Sequence, residues 1–143
     1  MAEQKIERER PYTQSIERLK TAGLRPTRQR LALARLLFDG MDRHVTAEQL
    51  HGEALGSHVR VSLATVYNTL HQFTEAGLLR EVVVEAGRSY FDTNTGSHHH
   101  FFHTDSGELM DIAAEQIVLD RLPDAPLGTS IDSVDVIIRV RRT

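Results

Sequence analysis

SLATVYNTLHQFTEAGLLREVVVEAGRSYFD, residues 62–92, holds two different periodicities joined by a glycine. In its first half Leu63, Val66, Leu70 and Phe73 recur at offsets of 0, 3, 7 and 10, the spacing of one helix face. Ser62 supplies an N-cap and Gly77 a stop. In the second half, LREVVVE and RSYFD flank Ala86-Gly87, with β-branched residues before the turn and aromatics after it, the pattern of a two-stranded hairpin. A capped helix running straight into a hairpin predicts the last helix and the wing of a winged helix-turn-helix. The second helix of the pair in such a unit enters the major groove of DNA.

Three helical patterns precede this stretch. YTQSIERLKTA (residues 12–22) places Ile16, Leu19 and Ala22 on one face and stops at Gly23. Thr27 caps RQRLALARLLFD, a broadly apolar helix ending at Gly40. Thr46 opens TAEQLHGEAL, and Gln49 completes a capping box.

Past the hairpin, TNTGS (residues 93–97) is small and polar and reads as part of a hinge. HHHFFHT and ELMDI then flank Asp105-Ser106-Gly107, a second hairpin. AAEQIVLDRL (113–122) predicts a short helix closed by Pro123, and IDSVDVIIRV puts Val134, Val136, Ile138 and Val140 on one strand face. A three-stranded sheet with one helix in so short a segment is too small to stand alone and is expected to be stable as half of a dimer.

Composition narrows the chemistry. The chain has 143 residues, is 40% apolar and 26% charged, and contains no cysteine. Disulfides, thiolate zinc sites and cysteine nucleophiles are thereby excluded, so a metal must be held by nitrogen and oxygen. No apolar run is long enough to span a membrane. The first ten residues are mostly charged, which argues against a secretory signal and for the cytoplasm. Net charge is only −3, but residues 1–36 carry nine Lys/Arg against four Asp/Glu, and residues 84–143 five against ten. A basic front and an acidic back suit a chain that presents one end to an anion.

The exposed face of the 63–76 helix carries Ala64, Thr65, Asn68, His71 and Glu75, with Tyr67 at its border. Small residues at its start allow close approach to DNA. Asn68 suits an adenine edge, and Tyr67 or Ala64 a thymine methyl. Lys20, Arg25, Arg28 and Arg30 stand where phosphate or minor-groove contacts would form. A three-helix protein-interaction module is the competing explanation of the same layout.

GSHHHFFHTDSG (residues 96–107) packs four histidines into six positions. Strand alternation puts His98 and His100 on one face with Phe102, and His99, Phe101 and His103 on the other. His98 and His100 are close enough to chelate one ion, whereas His99 and His103 lie about 13 Å apart along a strand. Two imidazoles seldom hold a metal alone; Asp111, Asp92 and His44 are the available partners, and such a set suits Fe²⁺, Mn²⁺ or Zn²⁺. The bland alternative is a solvated strand edge written in histidine.

AGLRPTRQRLALARLL, HVTAEQLH, VSLATVYNTLHQFTEAGLL and HHHFFHTDSGELMDI, in this order from about residue 13 to 140, resemble the ferric uptake regulators. The resemblance implies an α+β chain: an N-terminal winged helix-turn-helix (1–91), a hinge (92–97) and a small α/β dimerisation domain with a three-stranded sheet (98–143) that also senses metal or haem. It implies a homodimer on operator DNA, no membrane, and a regulatory metal on His44, Asp92, His98, His100 and Asp111. Three histidines and two aspartates look most like the peroxide-sensing branch. It also implies a DNA face of Arg25, Arg28, Arg30, Ser62, Ala64, Thr65, Tyr67 and Asn68, with Arg25 in the minor groove. The Asn68 position is arginine in many members.

One departure stands out. The CxxC pairs that hold a structural zinc in the family are absent, and HTDS (103–106) takes the place of the first. Cysteine-free members with an HHH segment resemble the iron response regulators of rhizobia, which bind promoters when iron is scarce and release them when haem binds. Haem, or a haem-delivering protein, is then the expected partner, with His98, His99, His100 and His103 as candidate ligands. The Cys-Pro haem motif of some members is missing. Fe²⁺ or Mn²⁺ corepression, or a peroxide response, is the alternative within the family. A metallohydrolase would need an open coordination position and a poised general base; no serine or glutamate motif stands beside the cluster, so the chain is read as no enzyme.

Overall fold

The computed structural model describes residues 13–143. The charged segment 1–10, and Tyr12 with which the first helix was expected to begin, lie outside the described residues. The chain divides into two compact units between Thr95 and Gly96.

Among the described residues the first unit holds four helices: α1, helical over residues 13–21, α2 (Arg28–Phe38), α3 (Ala47–Gly56) and α4 (Leu63–Glu75). The expected caps are in place. Thr27 Oγ1 accepts the Arg30 N–H at 3.3 Å, and Ser62 Oγ accepts that of Thr65 at 3.1 Å. Thr46 and Gln49 form the reciprocal capping box. Each satisfies an amide that the helix leaves without a partner. Gly77 follows α4 at φ +81, and beyond it the Leu78 N–H returns to the Phe73 carbonyl at 2.9 Å, a left-handed closure that favours glycine.

The apolar faces meet in one core: Leu19 of α1, Leu33 and Leu37 of α2, Leu50 of α3, and Val66, Leu70 and Phe73 of α4 are all buried. The Arg43 guanidinium reinforces it, reaching the Glu53 carboxylate at 2.6 and 2.8 Å and the Leu36 carbonyl at 3.2 Å. The hydrogen bond to Glu53 holds its pKa above the ordinary arginine value.

The wing is a three-stranded sheet rather than a bare hairpin. β1 (His44–Val45) is a strand that the sequence pattern did not announce. It pairs with β3 (Arg88–Asp92), which in turn pairs with β2 (Arg80–Glu85), in the order β1-β3-β2. Two residues are too few to show an alternation. Thr93 seals this edge: its hydroxyl accepts the Arg43 N–H at 2.9 Å, and its own N–H donates to the Arg43 carbonyl at 2.9 Å.

The second unit contains β4 (His98–His103), β5 (Leu109–Ala113) and β6 (Ile137–Val140) in the order β5-β4-β6. β4 and β5 form the expected antiparallel hairpin, while β6 joins β4 in parallel. The turn between β4 and β5 is well tied. Gly107 N–H donates to the His103 carbonyl at 2.7 Å, Thr104 N–H to that of Val140 at 3.0 Å, and the Asp105 carboxylate accepts the Arg142 N–H at 2.8 Å.

Two expectations for this unit need correcting. Residues 113–122 are not a helix; only a 3₁₀ turn, Ala114–Gln116, forms. Val118, Leu119 and Leu122 stay exposed. A short helix draws most of its stability from packing an apolar face, and here the described chain offers none. The last strand is also shorter than the 131–140 pattern suggested. Upstream of it, Val136 is held by the His99 side chain instead, its N–H donating to Nδ1 at 3.1 Å. Among the described residues no helix is long and apolar enough to cross a membrane.

Candidate metal site and nucleic-acid face

Four of the five predicted metal ligands fall into two register pairs, one in each unit, and the fifth, His98, lies on β4. In the first unit β1 and β3 set His44 opposite Asp92. Asp92 is buried and accepts the Asn94 N–H at 2.9 Å, and the His44 ring stands edge-on to Tyr90 at 6.2 Å. In the second unit β4 and β5 set His100 opposite Asp111. Alternation brings His98 to the same face, and the two imidazole centroids lie 4.6 Å apart.

Asp111 Oδ1 sits 3.5 Å from His98 Nε2 and 3.3 Å from His100 Nε2. Bonds of about 2.0–2.2 Å at tetrahedral or octahedral angles separate neighbouring donors by roughly 3.0–3.5 Å, so this trio fits around one small divalent ion. The tautomer agrees. His98 Nδ1 lies 2.7 Å from the Gly96 carbonyl, an acceptor only, so in the neutral ring Nδ1 carries the hydrogen and Nε2 presents its lone pair towards Asp111. A backbone carbonyl holding the far nitrogen of a ligand histidine is the usual support of such a site. Imidazole and carboxylate donors suit Fe²⁺, Mn²⁺ or Zn²⁺.

The remaining histidines are arranged differently. β4 is the central strand of its sheet, and His98, His99 and His100 are buried, so the triplet is not a solvated edge. His99 Nδ1 is engaged as an acceptor by Val136, which puts the hydrogen of its neutral ring on Nε2. His103 is half-buried, with Nε2 3.1 Å from the Met110 Sδ.

All eight predicted DNA contacts lie in the first unit. Arg25 and Arg28 are exposed before and at the start of α2. Ser62 caps α4, and beyond it Ala64, Tyr67 and Asn68 are exposed and Thr65 half-buried. Arg30 is largely committed within the fold: its guanidinium donates to the Arg25 carbonyl at 2.9 Å and to Gln72 Oε1 at 2.9 and 3.3 Å. It locks α2 and the preceding turn onto α4. Tyr67 donates its hydroxyl hydrogen to Glu48 Oε1 at 2.7 Å. Glu48 and Gln72 were not singled out from the sequence, because neither stands near its partner along the chain.

Comparison with known proteins agrees with this layout. Residues 21–134 match the family model described as the ferric uptake regulator family. A ferric uptake regulation protein of Cupriavidus metallidurans is 38% identical over 102 residues, covering 68% of this chain and 71% of its own. A peroxide-responsive repressor of Staphylococcus aureus is 32% identical over 109 residues, covering 76% and 73%. The solved structure of the ferric uptake regulator from Pseudomonas aeruginosa with manganese superposes with a TM-score of 0.68 at 27% identity, over 90% of this chain and 97% of that one. With a winged helical unit, a histidine-bearing sheet and this breadth of similarity, the chain belongs to the ferric uptake regulator family of transcription regulators.

Proposed function

We propose that this protein is a divalent-metal-responsive regulator that binds operator DNA as a homodimer. Residues 1–91 hold the DNA, 92–97 act as a hinge, and 98–143 dimerise and sense. His98, His100 and Asp111 hold the ion, and His44 with Asp92, where the hinge begins, complete the set. The observation that carries this is the pair of imidazole nitrogens facing one carboxylate oxygen, with His98 fixed by the Gly96 carbonyl. When bound, the ion supplies a positive charge that draws the donors to fixed positions. That favours one arrangement of the DNA-binding units over others, and affinity for DNA changes only by that preference.

The test is an operator selected from randomised DNA, titrated with the full chain in Mn²⁺ or Zn²⁺ and again in chelator. Affinity at least about tenfold lower in chelator is expected, within the usual range of a coupling free energy. Equal affinity in both would overturn metal dependence. With Fe²⁺ as the ion, loss of DNA binding on adding hydrogen peroxide marks a peroxide-responsive regulator.

A second reading, closest to the iron response regulators, has haem as the releasing ligand. Burial of His98, His99 and His100 argues against a macrocycle at those rings, but His103 and Met110 are more open and bring an imidazole and a thioether together, the side chains that hold haem in many proteins. Haem added to the operator complex would then release DNA, and His103→Ala and Met110→Ala would each alter the haem spectrum. Spectra identical to wild type in both variants would sink it.

A further inference from the structure

Glu48 is a surface carboxylate in the first turn of α3, and its contact with Tyr67 joins two helices nineteen residues apart along the chain. The tyrosine is built into a row. Its ring lies nearly parallel to that of His71, 6.5 Å away, and His71 meets Phe91 of β3 edge-on at 5.5 Å. Glu48, Tyr67, His71 and Phe91 line one groove between α3, α4 and the wing sheet. Tyr67 nevertheless remains 37% exposed, so the ring is oriented without being hidden.

From this geometry we infer that Glu48 is a positioning and specificity-determining residue: by taking the hydroxyl hydrogen of Tyr67, it makes the tyrosine a reader of apolar base surface rather than a hydrogen donor. This rests on the proposal that α4 meets bases. A phenol has one hydrogen to give. Spent on a carboxylate at 2.7 Å, in a charge-assisted bond stronger than a neutral one, it is unavailable to the N7 or O6 acceptors of guanine. What remains towards the groove is the ring, which suits the methyl of thymine, and an oxygen that can accept but not donate. The α3 N-terminus assists, since a helix start stabilises an ionised carboxylate. Accordingly the hydrogen bond from Tyr67, followed by that from the backbone, holds Glu48 below the ordinary carboxylate range, and Glu48 holds the Tyr67 phenol above its own.

The experiment selects operators from a randomised DNA pool with the full-length protein and its variants. The base position at which Tyr67→Ala loses its preference defines the contact. There the wild type is expected to favour thymine over guanine by roughly tenfold, a usual size for one base contact. Glu48→Ala frees the hydroxyl and cuts this to about threefold or less. Glu48→Gln, whose amide oxygen still accepts, keeps it. Adding Tyr67→Phe to Glu48→Ala restores it, because the freed hydroxyl is gone. Any general change in attraction to phosphate moves all sequences alike and leaves the ratio untouched. An unchanged ratio in Glu48→Ala, or a fallen ratio that Tyr67→Phe fails to restore, overturns the inference. Selected sequences unaltered by Tyr67→Ala would instead overturn the assignment of Tyr67 to the bases.

Discussion

The two units bury different things. The first closes around Leu19, Leu33, Leu37, Leu50, Val66, Leu70 and Phe73, an interior built from helix faces. In the second, three of the six buried residues are histidines, alongside Phe102, Leu109 and Ile112. Beyond its sheet, Val118, Leu119, Leu122, Leu127 and Ile131 remain exposed. One unit is stabilised mainly by apolar burial. The other keeps imidazoles inside, where each polar atom must be matched, and leaves several apolar side chains exposed. On the proposed function, the difference separates holding a shape from registering a ligand.

The sharpest way to break this contrast is to damage the apolar interior. Phe73→Ala, at a fully buried ring, is expected to cost about 3–5 kcal/mol in denaturant unfolding. A cost near zero would mean that the first unit does not depend on its core. Next in size is a ligand change that spares the fold. Asp111 is half-exposed on β5, so Asp111→Asn should lower affinity for Mn²⁺ or Zn²⁺ by roughly 10–100-fold in calorimetry while metal-free melting barely moves. If melting fell and affinity held, Asp111 would belong to structure and not to sensing. A smaller effect tests how α4 begins: Ser62→Ala should cost about 1 kcal/mol, with early exchange of the Thr65 amide.

The smallest effect is a titration. The Tyr67 phenol has a raised pKa in the folded chain, so its share of stability is present below the ordinary tyrosine range and is lost as pH rises through the raised value. Glu48, whose pKa is lowered, contributes above the ordinary carboxylate range and loses its share as pH falls through the lowered value. In Glu48→Ala, which removes the acceptor, ultraviolet titration should show one tyrosine ionising at lower pH than in wild type. An unaltered titration would show that the hydrogen bond is not made in solution.

How legible each unit was follows from the same contrast. Helix faces and caps are local signals, so Thr27, Thr46, Ser62 and Gly77 announced where α2 to α4 begin and end. Strand alternation likewise placed His98 and His100 on one face and His99 on the other. Signals that depend on distant partners were silent. β1 exists because β3 lies beside it, not because His44 and Val45 form a pattern. Glu48 gains its meaning from a helix nineteen residues on, and Arg30 from Gln72. The segment 113–122 misled for the converse reason: its local propensity is helical, but the described chain gives that helix nothing to pack on. Among the predicted ligands, pairing of β4 with β5 was enough to join His100 to Asp111, whereas the pairing of His44 with Asp92 required the strand that the sequence concealed.

The turn at residues 103–108 has a practical consequence. Where the family resemblance led one to expect a cysteine pair, Asp105 and Thr104 fasten this turn to Arg142 and Val140 through ordinary hydrogen bonds. With no cysteine in the chain, the turn owes nothing to a thiol. A chelator that strips the signal should leave the receiver standing, and a thiol oxidant finds no cysteine to attack. If the proposed metal response holds, loading and stripping the ion should leave this turn, tied by Asp105 and Thr104, unchanged.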